Sequence, residues 1–272
     1  TTEIYTLSLH DALPISYLSV IIPAYNEEKR IGQTLTAVYT YLTAQSFSWE
    51  LLIVLDGSRD NTAGVIEQFA QGRENIRWID RKENMGKGFT VRQGMLAARG
   101  DIRLFTDADN STDMSHFDRM KPLFDEGASV VICSRDGKDA QGAVQARPQP
   151  FLKRVLGNSG NLFVQLMAVP GIWDTQCGFK AFRAAAAEQI FAISQINRWG
   201  FDMEALALAR RFGHKIHVIA ANWHDAEGTH VTLGGYLGTF WEAVKIRWNL
   251  LSGVYARQEK RQATAKPHPT PK

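Results

Sequence analysis

The chain is short of several things, and each shortage removes a class of protein. It has two cysteines in 272 residues, Cys133 and Cys177, too few and too far apart for a disulfide framework or a zinc cluster. A reducing, cytosolic compartment is therefore the default. No run reaches the roughly eighteen consecutive apolar residues of a transmembrane helix; the longest, such as Leu51–Leu55, are of strand length. A formal net charge of +3 gives no electrostatic footprint for nucleic acid. There are no internal repeats.

What is present is an ordinary globular composition, with length for one large α/β domain or a domain with an appendage. The first sixteen residues, TTEIYTLSLHDALPIS, lack the basic start and apolar stretch of a signal peptide. They read as a non-native leader, translated from sequencing-adaptor sequence, and the fold is expected to start at Tyr17.

From Tyr17 onward strands and helices alternate. Leu18–Ile22 is a buried-strand run stopped by Pro23, and a helix follows over Ile31–Ala44. Leu51–Leu55 is the next strand, after which Asp60 is placed to cap a helix over Asn61–Ala70. Ile76–Ile79, a helix over Phe89–Ala98, Ile102–Thr106 and Val130–Cys133 continue the pattern. Such alternation predicts an α/β fold with a doubly wound, mostly parallel sheet. Ligands in such sheets sit beyond the carboxyl ends of the strands. Four polar clusters fall there: Pro23–Glu28, Asp56–Asp60, Asn84–Gly88 and Asp107–Asp113.

The second half is less regular. Helices are expected around Leu152–Met167 and Phe201–Arg211, a short segment at Gly178–Phe182 and a strand at Lys215–Ala220. A stretch from Tyr236 to Tyr255 is amphipathic, with Trp241, Val244, Trp248 and Leu251 among Lys245, Arg247 and Arg257. It suits either a lipid interface or packing on the core or a partner subunit, the last making a homo-oligomer. The basic, proline-containing tail 258–272 reads as disordered.

Asp107-Ala108-Asp109 closes the fourth strand. If strand geometry persists, both carboxylates share one face, and two adjacent anions call for a hard cation such as Mg²⁺ or Mn²⁺. A calcium loop starting at Asp107 is a rival, but its sixth position is Thr112 and its twelfth Asp118, where glycine and glutamate belong. Asp56 can accept from a base imide or a ribose hydroxyl. Asn84-Met85-Gly86-Lys87-Gly88 fails both common phosphate-loop patterns, yet Lys87 before a helix can donate to a diphosphate.

Taken together, Pro23-Ala24-Tyr25-Asn26-Glu27-Glu28, Asp56-Gly57-Ser58, Asn84 to Gly88 and Asp107-Ala108-Asp109 resemble glycosyltransferase family 2. Asp174-Thr175-Gln176-Cys177-Gly178-Phe179-Lys180 and Trp199-Gly200-Phe201-Asp202-Met203-Glu204 are similar to its polyprenyl-phosphate branch, the dolichyl-phosphate β-glucosyltransferase type first and the mannosyltransferases next. The resemblance covers about Tyr17 to Val231. It implies a GT-A catalytic domain over 17–231, the amphipathic helix 232–257, a nucleoside diphosphate sugar donor and inversion at the anomeric carbon.

Carried onto this chain, the resemblance gives Pro23, Tyr25, Glu27 and Asp56 to the nucleoside, adds Ala24 and Ala108 to the donor site and sets His230 by the donor diphosphate, where Lys87 is also expected. Asp107 and Asp109 would hold Mg²⁺ or Mn²⁺, with Ser111 where some relatives place a third ligand. Arg135 and Arg154 would meet a polyprenyl or dolichyl phosphate, and Asp202 or Glu204 is the candidate base if the acceptor is a hydroxyl. Three positions depart from the pattern: Leu55 replaces an acid, Cys133 a glycine, and His230 a lysine. The enzyme so implied works peripherally on the cytoplasmic face of a membrane, with UDP-glucose favoured over GDP-mannose. A sugar-1-phosphate nucleotidyltransferase is the rival enzyme class; it would want a glycine-rich basic loop where Pro23–Glu28 stands.

Overall fold

The computed structural model describes residues 16–145, 160–223 and 233–264. Its main sheet has seven strands: β1 (Leu18–Ala24), β2 (Trp49–Asp56), β3 (Ile76–Arg81), β4 (Ile102–Thr106), β5 (Val130–Ser134), β7 (Phe179–Arg183) and β8 (Ile216–Ala220). A separate parallel pair joins β6 (Val144–Gln145) to β9 (Asn222–Trp223). The main order is β3-β2-β1-β4-β7-β5-β8, parallel throughout except for β7, which runs antiparallel to both neighbours.

Alternation along the central strands assigns the two faces. Val20, Ile22, Ile53, Leu55 and Leu104 face one layer, where α1 (Ile31–Thr43), α2 (Thr62–Ala70) and α4 (His116–Asp125) bring Leu35, Val38, Ile66, Phe117 and Met120. Ile21, Leu52, Val54 and Phe105 face the other. There α3 (Lys87–Ala97), α5 (helical residues 160–167), α6 (Ala184–Phe191), α7 (Phe201–Arg211), α8 (Leu233–Leu251) and α9 (Val254–Thr264) form the cover. The central strands β1, β2 and β4 are therefore largely apolar on both sides, as a sheet covered by helices on both faces requires.

The chain order reverses between β1 and β4, the switch point at which such sheets open a crevice. β1 pairs with β4 only as far as Ile21↔Phe105, but follows β2 to Ala24↔Leu55. Pro23 thus lies inside the strand rather than stopping it. It is tolerated because β4 has already turned away, so its missing N–H leaves at most one neighbour unserved.

Other expectations need correction. α3 begins at Lys87, two residues early, because Gly86 takes φ 96° and turns the chain into the helix. The short segment after Gly178 is the antiparallel strand β7, held on both edges. The amphipathic stretch is two helices, broken at Gly253 with φ 71°, and the tail is helical as far as Thr264 instead of disordered from residue 258. Arg154 and His230 lie outside the described residues, as do residues 1–15 and 265–272.

Candidate active site

Four parallel strands, β3-β2-β1-β4, are adjacent, so the four polar clusters seen in the sequence emerge on one rim. The loops after β1 and β2 are clasped together. Asn26 N–H donates to Ser58 Oγ at 3.1 Å, and Arg59 N–H to Asn26 Oδ1 at 2.8 Å. Glu28 N–H donates to Asp60 Oδ2 and Asn61 N–H to Glu28 Oε2. Asp60 also accepts from Thr62 N–H, so it organises the entry to α2, but the helix starts one residue later than expected and Asn61, not Asp60, holds the cap position. Pro23 and Ala24 are buried at the end of β1, and Tyr25 stands exposed beyond them.

Two acids assigned to the nucleoside are already engaged. Glu27 makes a two-pronged pair with Arg30, both contacts 2.8 Å. Asp56, 4% exposed, accepts the N–H groups of Met85 at 2.8 Å and Gly86 at 2.9 Å, and pairs with Arg81. Its carboxylate fixes the loop that leads into α3, a positioning task rather than a free hand for a base. Arg81 leaves Nε and Nη1 buried without hydrogen-bond partners, its face over the Phe89 ring.

The loop so fixed delivers Lys87 to the centre of the rim, where its Nζ lies 2.6 Å from Asp107 Oδ1. Trp199 and Phe201 flank the ammonium. Burial works against its charge, but Asp107 and Asp202, with a smaller push from Asp109, raise its pKa. Behind it Lys180, fully buried in β7, is paired with Asp202 and donates to the Cys177 carbonyl. Burial raises the Asp202 pKa, against the pull of Lys180 and Lys87. Glu204 is no free base: its carboxylate accepts from Gln195 N–H, Ile196 N–H and Tyr255 O–H.

Strand geometry does not persist through Asp107-Ala108-Asp109, contrary to the expectation. β4 ends at Thr106 and the chain turns, with Asn110 at φ 54°. Thr34 of α1 pins the turn by donating to the Ala108 carbonyl at 2.6 Å, and Asp109 Oδ1 accepts Ser111 N–H at 3.0 Å. Asp118, the last position of the rival calcium loop, is inside α4 and accepts the Tyr41 hydroxyl.

Arg135 meets Asp174 through Nε at 2.7 Å, Nη2 at 2.8 Å and its own N–H at 2.8 Å. Burial alone would raise Asp174; the Arg135 charge and these donors outweigh it and lower its pKa to about 2. The guanidinium faces Trp223. Arg135 is thus presented with one edge already taken, and Asp174 is its positioner. Lys180, Asp174 and Trp199 stood in the sequence only as members of quoted motifs, with no role given; the structure places them beside Lys87, Asp202 and Arg135. A lysine inside the strand FKAFR was the one local signal, since an ammonium at a core position demands a partner.

The acids on the rim fit a divalent cation. Asp107 Oδ1 is buried and lacks a properly directed hydrogen bond despite the nearby ammonium. Such an oxygen is a ready hard ligand, and Lys87 occupies the position of a counter-charge. No third His, Cys, Asp or Glu joins to make a larger ligand group among the described residues. A cation there would rest on Asp107, Asp109 and the donor's own phosphates.

Known structures share this fold. Glucosyl-3-phosphoglycerate synthase from Mycobacterium tuberculosis, in complex with uridine-diphosphate, superposes with a TM-score of 0.63 over 86% of this chain and 79% of that one, at 18% identity. Its complex with Mn²⁺, uridine-diphosphate and phosphoglyceric acid gives 0.60 over 88% and 78%, at 19%. The class defined by fold and rim is the GT-A glycosyltransferase. Residues 19–191 match Glycosyl transferase family 2, and the chain belongs to that family as a hexosyltransferase. Among curated relatives, a dolichyl-phosphate beta-glucosyltransferase of Trichomonas vaginalis is 35% identical over 82% of this chain and 71% of its own length. Those of Dictyostelium discoideum and Saccharomyces cerevisiae are 34% and 35% identical, over 88% and 90% of this chain and 76% and 78% of theirs.

Proposed function

We propose that this chain transfers glucose, with inversion, from UDP-glucose to dolichyl or another polyprenyl phosphate. It depends on Mg²⁺ or Mn²⁺ and works peripherally on the cytoplasmic face of a membrane. The catalytic domain is 17–231, followed by the helices α8 and α9. The observation that carries the reading is the meeting of Lys87, Asp107, Asp109 and Asp202 on the rim beside a pre-oriented Arg135. Curated relatives named for this activity over most of their length support it.

In this mechanism the clasped loops after β1 and β2 receive the nucleoside, with Tyr25 at their edge. Lys87 donates to the diphosphate as its negative charge grows. The cation, held by Asp107 and Asp109, would stabilise the departing nucleoside diphosphate as a Lewis acid. Arg135, its plane set by Asp174, meets the acceptor phosphate, and Arg154 adds a second cation. A phosphate monoester has its second pKa near ~6, so at neutral pH it already offers a nucleophilic oxygen. No strong base is required. Asp202, locked to Lys180, then serves to place Lys180 and Lys87 rather than to take a proton.

The test is a panel of UDP-glucose, UDP-N-acetylglucosamine and GDP-mannose, radiolabelled in the sugar, with a polyprenyl phosphate in detergent. Labelled lipid from UDP-glucose alone, abolished by chelator and restored by Mn²⁺, is expected. Transfer from GDP-mannose, UDP release without the lipid phosphate, or release of pyrophosphate would each replace the reading with a different one.

A further inference from the structure

α8 has two apolar faces, and only one is used by the fold. Ala243, Ile246 and Asn249 are buried against the body of the domain. Trp241, Val244, Trp248 and Leu251, at three- and four-residue intervals, lie on the opposite side; Trp241 is 70% exposed, Trp248 68% and Leu251 71%. The largest apolar side chains of this helix therefore point outward, the reverse of a helix that packs by its aromatic stripe.

The patch is wider than one helix. Phe240 stacks edge-on against Phe163 of α5 with ring centroids 5.3 Å apart, and one turn around α5, Leu162 and Leu166 are 52% and 63% exposed. At about 100° per residue, Lys245 and Arg247, both exposed, fall on the two borders of the α8 stripe. The only acid of α8, Glu242, is turned inward, its Oε2 accepting Gly200 N–H at 2.7 Å. Thus the outer face carries large apolar groups, basic borders and no acid, and the inner side of the same helix touches the residue next to Trp199 on the catalytic rim.

We infer that this face, Trp241, Val244, Trp248 and Leu251 with Leu162 and Leu166, seats the enzyme on an anionic lipid surface. Charge chooses the occupant: indole and leucine side chains enter the headgroup boundary while the flanking cations meet anionic lipid. The contact at Gly200 places the rim one helix width from that surface, where an acceptor phosphate would lie. The inference rests on the membrane part of the proposed function, which it locates on named residues.

The experiment is co-sedimentation of the full chain with vesicles of phosphatidylcholine, alone or mixed with a minority of phosphatidylserine, without donor. Binding is expected to be stronger to the mixed vesicles. The double variant Trp241→Ser/Trp248→Ser should bind about tenfold or more weakly, and Lys245→Gln/Arg247→Gln should lose the preference for phosphatidylserine. Turnover with a detergent-dispersed acceptor should stay unchanged in both, which also certifies folding. Equal vesicle binding by parent and double variant would overturn the inference. So would a solution dimer that the tryptophan substitutions dissociate in a protein that ignores vesicles. A protein that sediments as expected but transfers no sugar would instead sink the transferase reading and leave this face standing.

Discussion

Single residues decide how the rim is shaped. A methyl group at Gly178 would fall within the van der Waals radius of the Asp107 carboxylate. Glycine is therefore required there by proximity, not by backbone angle. Gly178→Ala should push Asp107 out of place and lower kcat about a hundredfold, the usual cost of an ångström-scale misplacement. Near-UV circular dichroism is expected to match the parent, and a rate within twofold would refute the contact. The same scale explains two of the departures from the family pattern. Leu55 and Cys133 are fully buried in the layer covered by α1, α2 and α4. Neither position looks onto the rim, so the loss of an acid or a glycine there removes no group from the site.

Among the elements, those that could be read in advance are the ones whose signal is local. The continuous apolar runs of β1, β2 and β4 announced strands covered on both sides, and the helices between them announced parallel order. β7 was not legible as antiparallel, because direction is a property of the connection and FKAFR reads alike both ways. In α8 the stripe was visible but not its direction. Large aromatics dominate any sequence pattern, whereas the helix packs through Ala243 and Ile246, whose small or slim side chains let it come close. α9 was hidden by its polarity, and one buried side chain holds it: Tyr255 donates to Glu204 Oε1 at 2.6 Å. Glu204 in turn grips the 195–196 amides, and Asn197 O accepts Phe89 N–H from the first turn of α3. Tyr255→Phe leaves Glu204 short of a donor and should cost about 1–2 kcal/mol in urea unfolding. A several-fold rise in the KM for donor should accompany it; a stability unchanged from the parent would show that α9 is not held this way.

For the molecule as a whole, stability and pH are tied through the buried Arg135–Asp174 pair. The Asp174 carboxyl titrates at about 2 instead of 3.8. A depressed carboxyl adds stability that is complete above the unfolded value and disappears as pH falls through the folded one. Here that window runs from about pH 4 down to about pH 2, and the amount is on the order of 2 kcal/mol. Asp174→Asn strands the arginine and should cost about 3 kcal/mol at neutral pH. The gap between variant and parent should then narrow across the same window in denaturant titrations; a constant gap would remove the pair from the acid response.

Because β7 runs against its neighbours, it brings its starting end, not its finishing end, to the catalytic rim: Phe179 lies across from Thr106. The 174–178 loop therefore arrives from the far half of the sheet and meets Asp107 at the β4–β7 boundary. That boundary is a natural crossover point for recombination. A hybrid exchanging everything after the 107–113 turn with another family member would keep one partner's clasped loops after β1 and β2 and take its Arg135–Asp174 pair from the other.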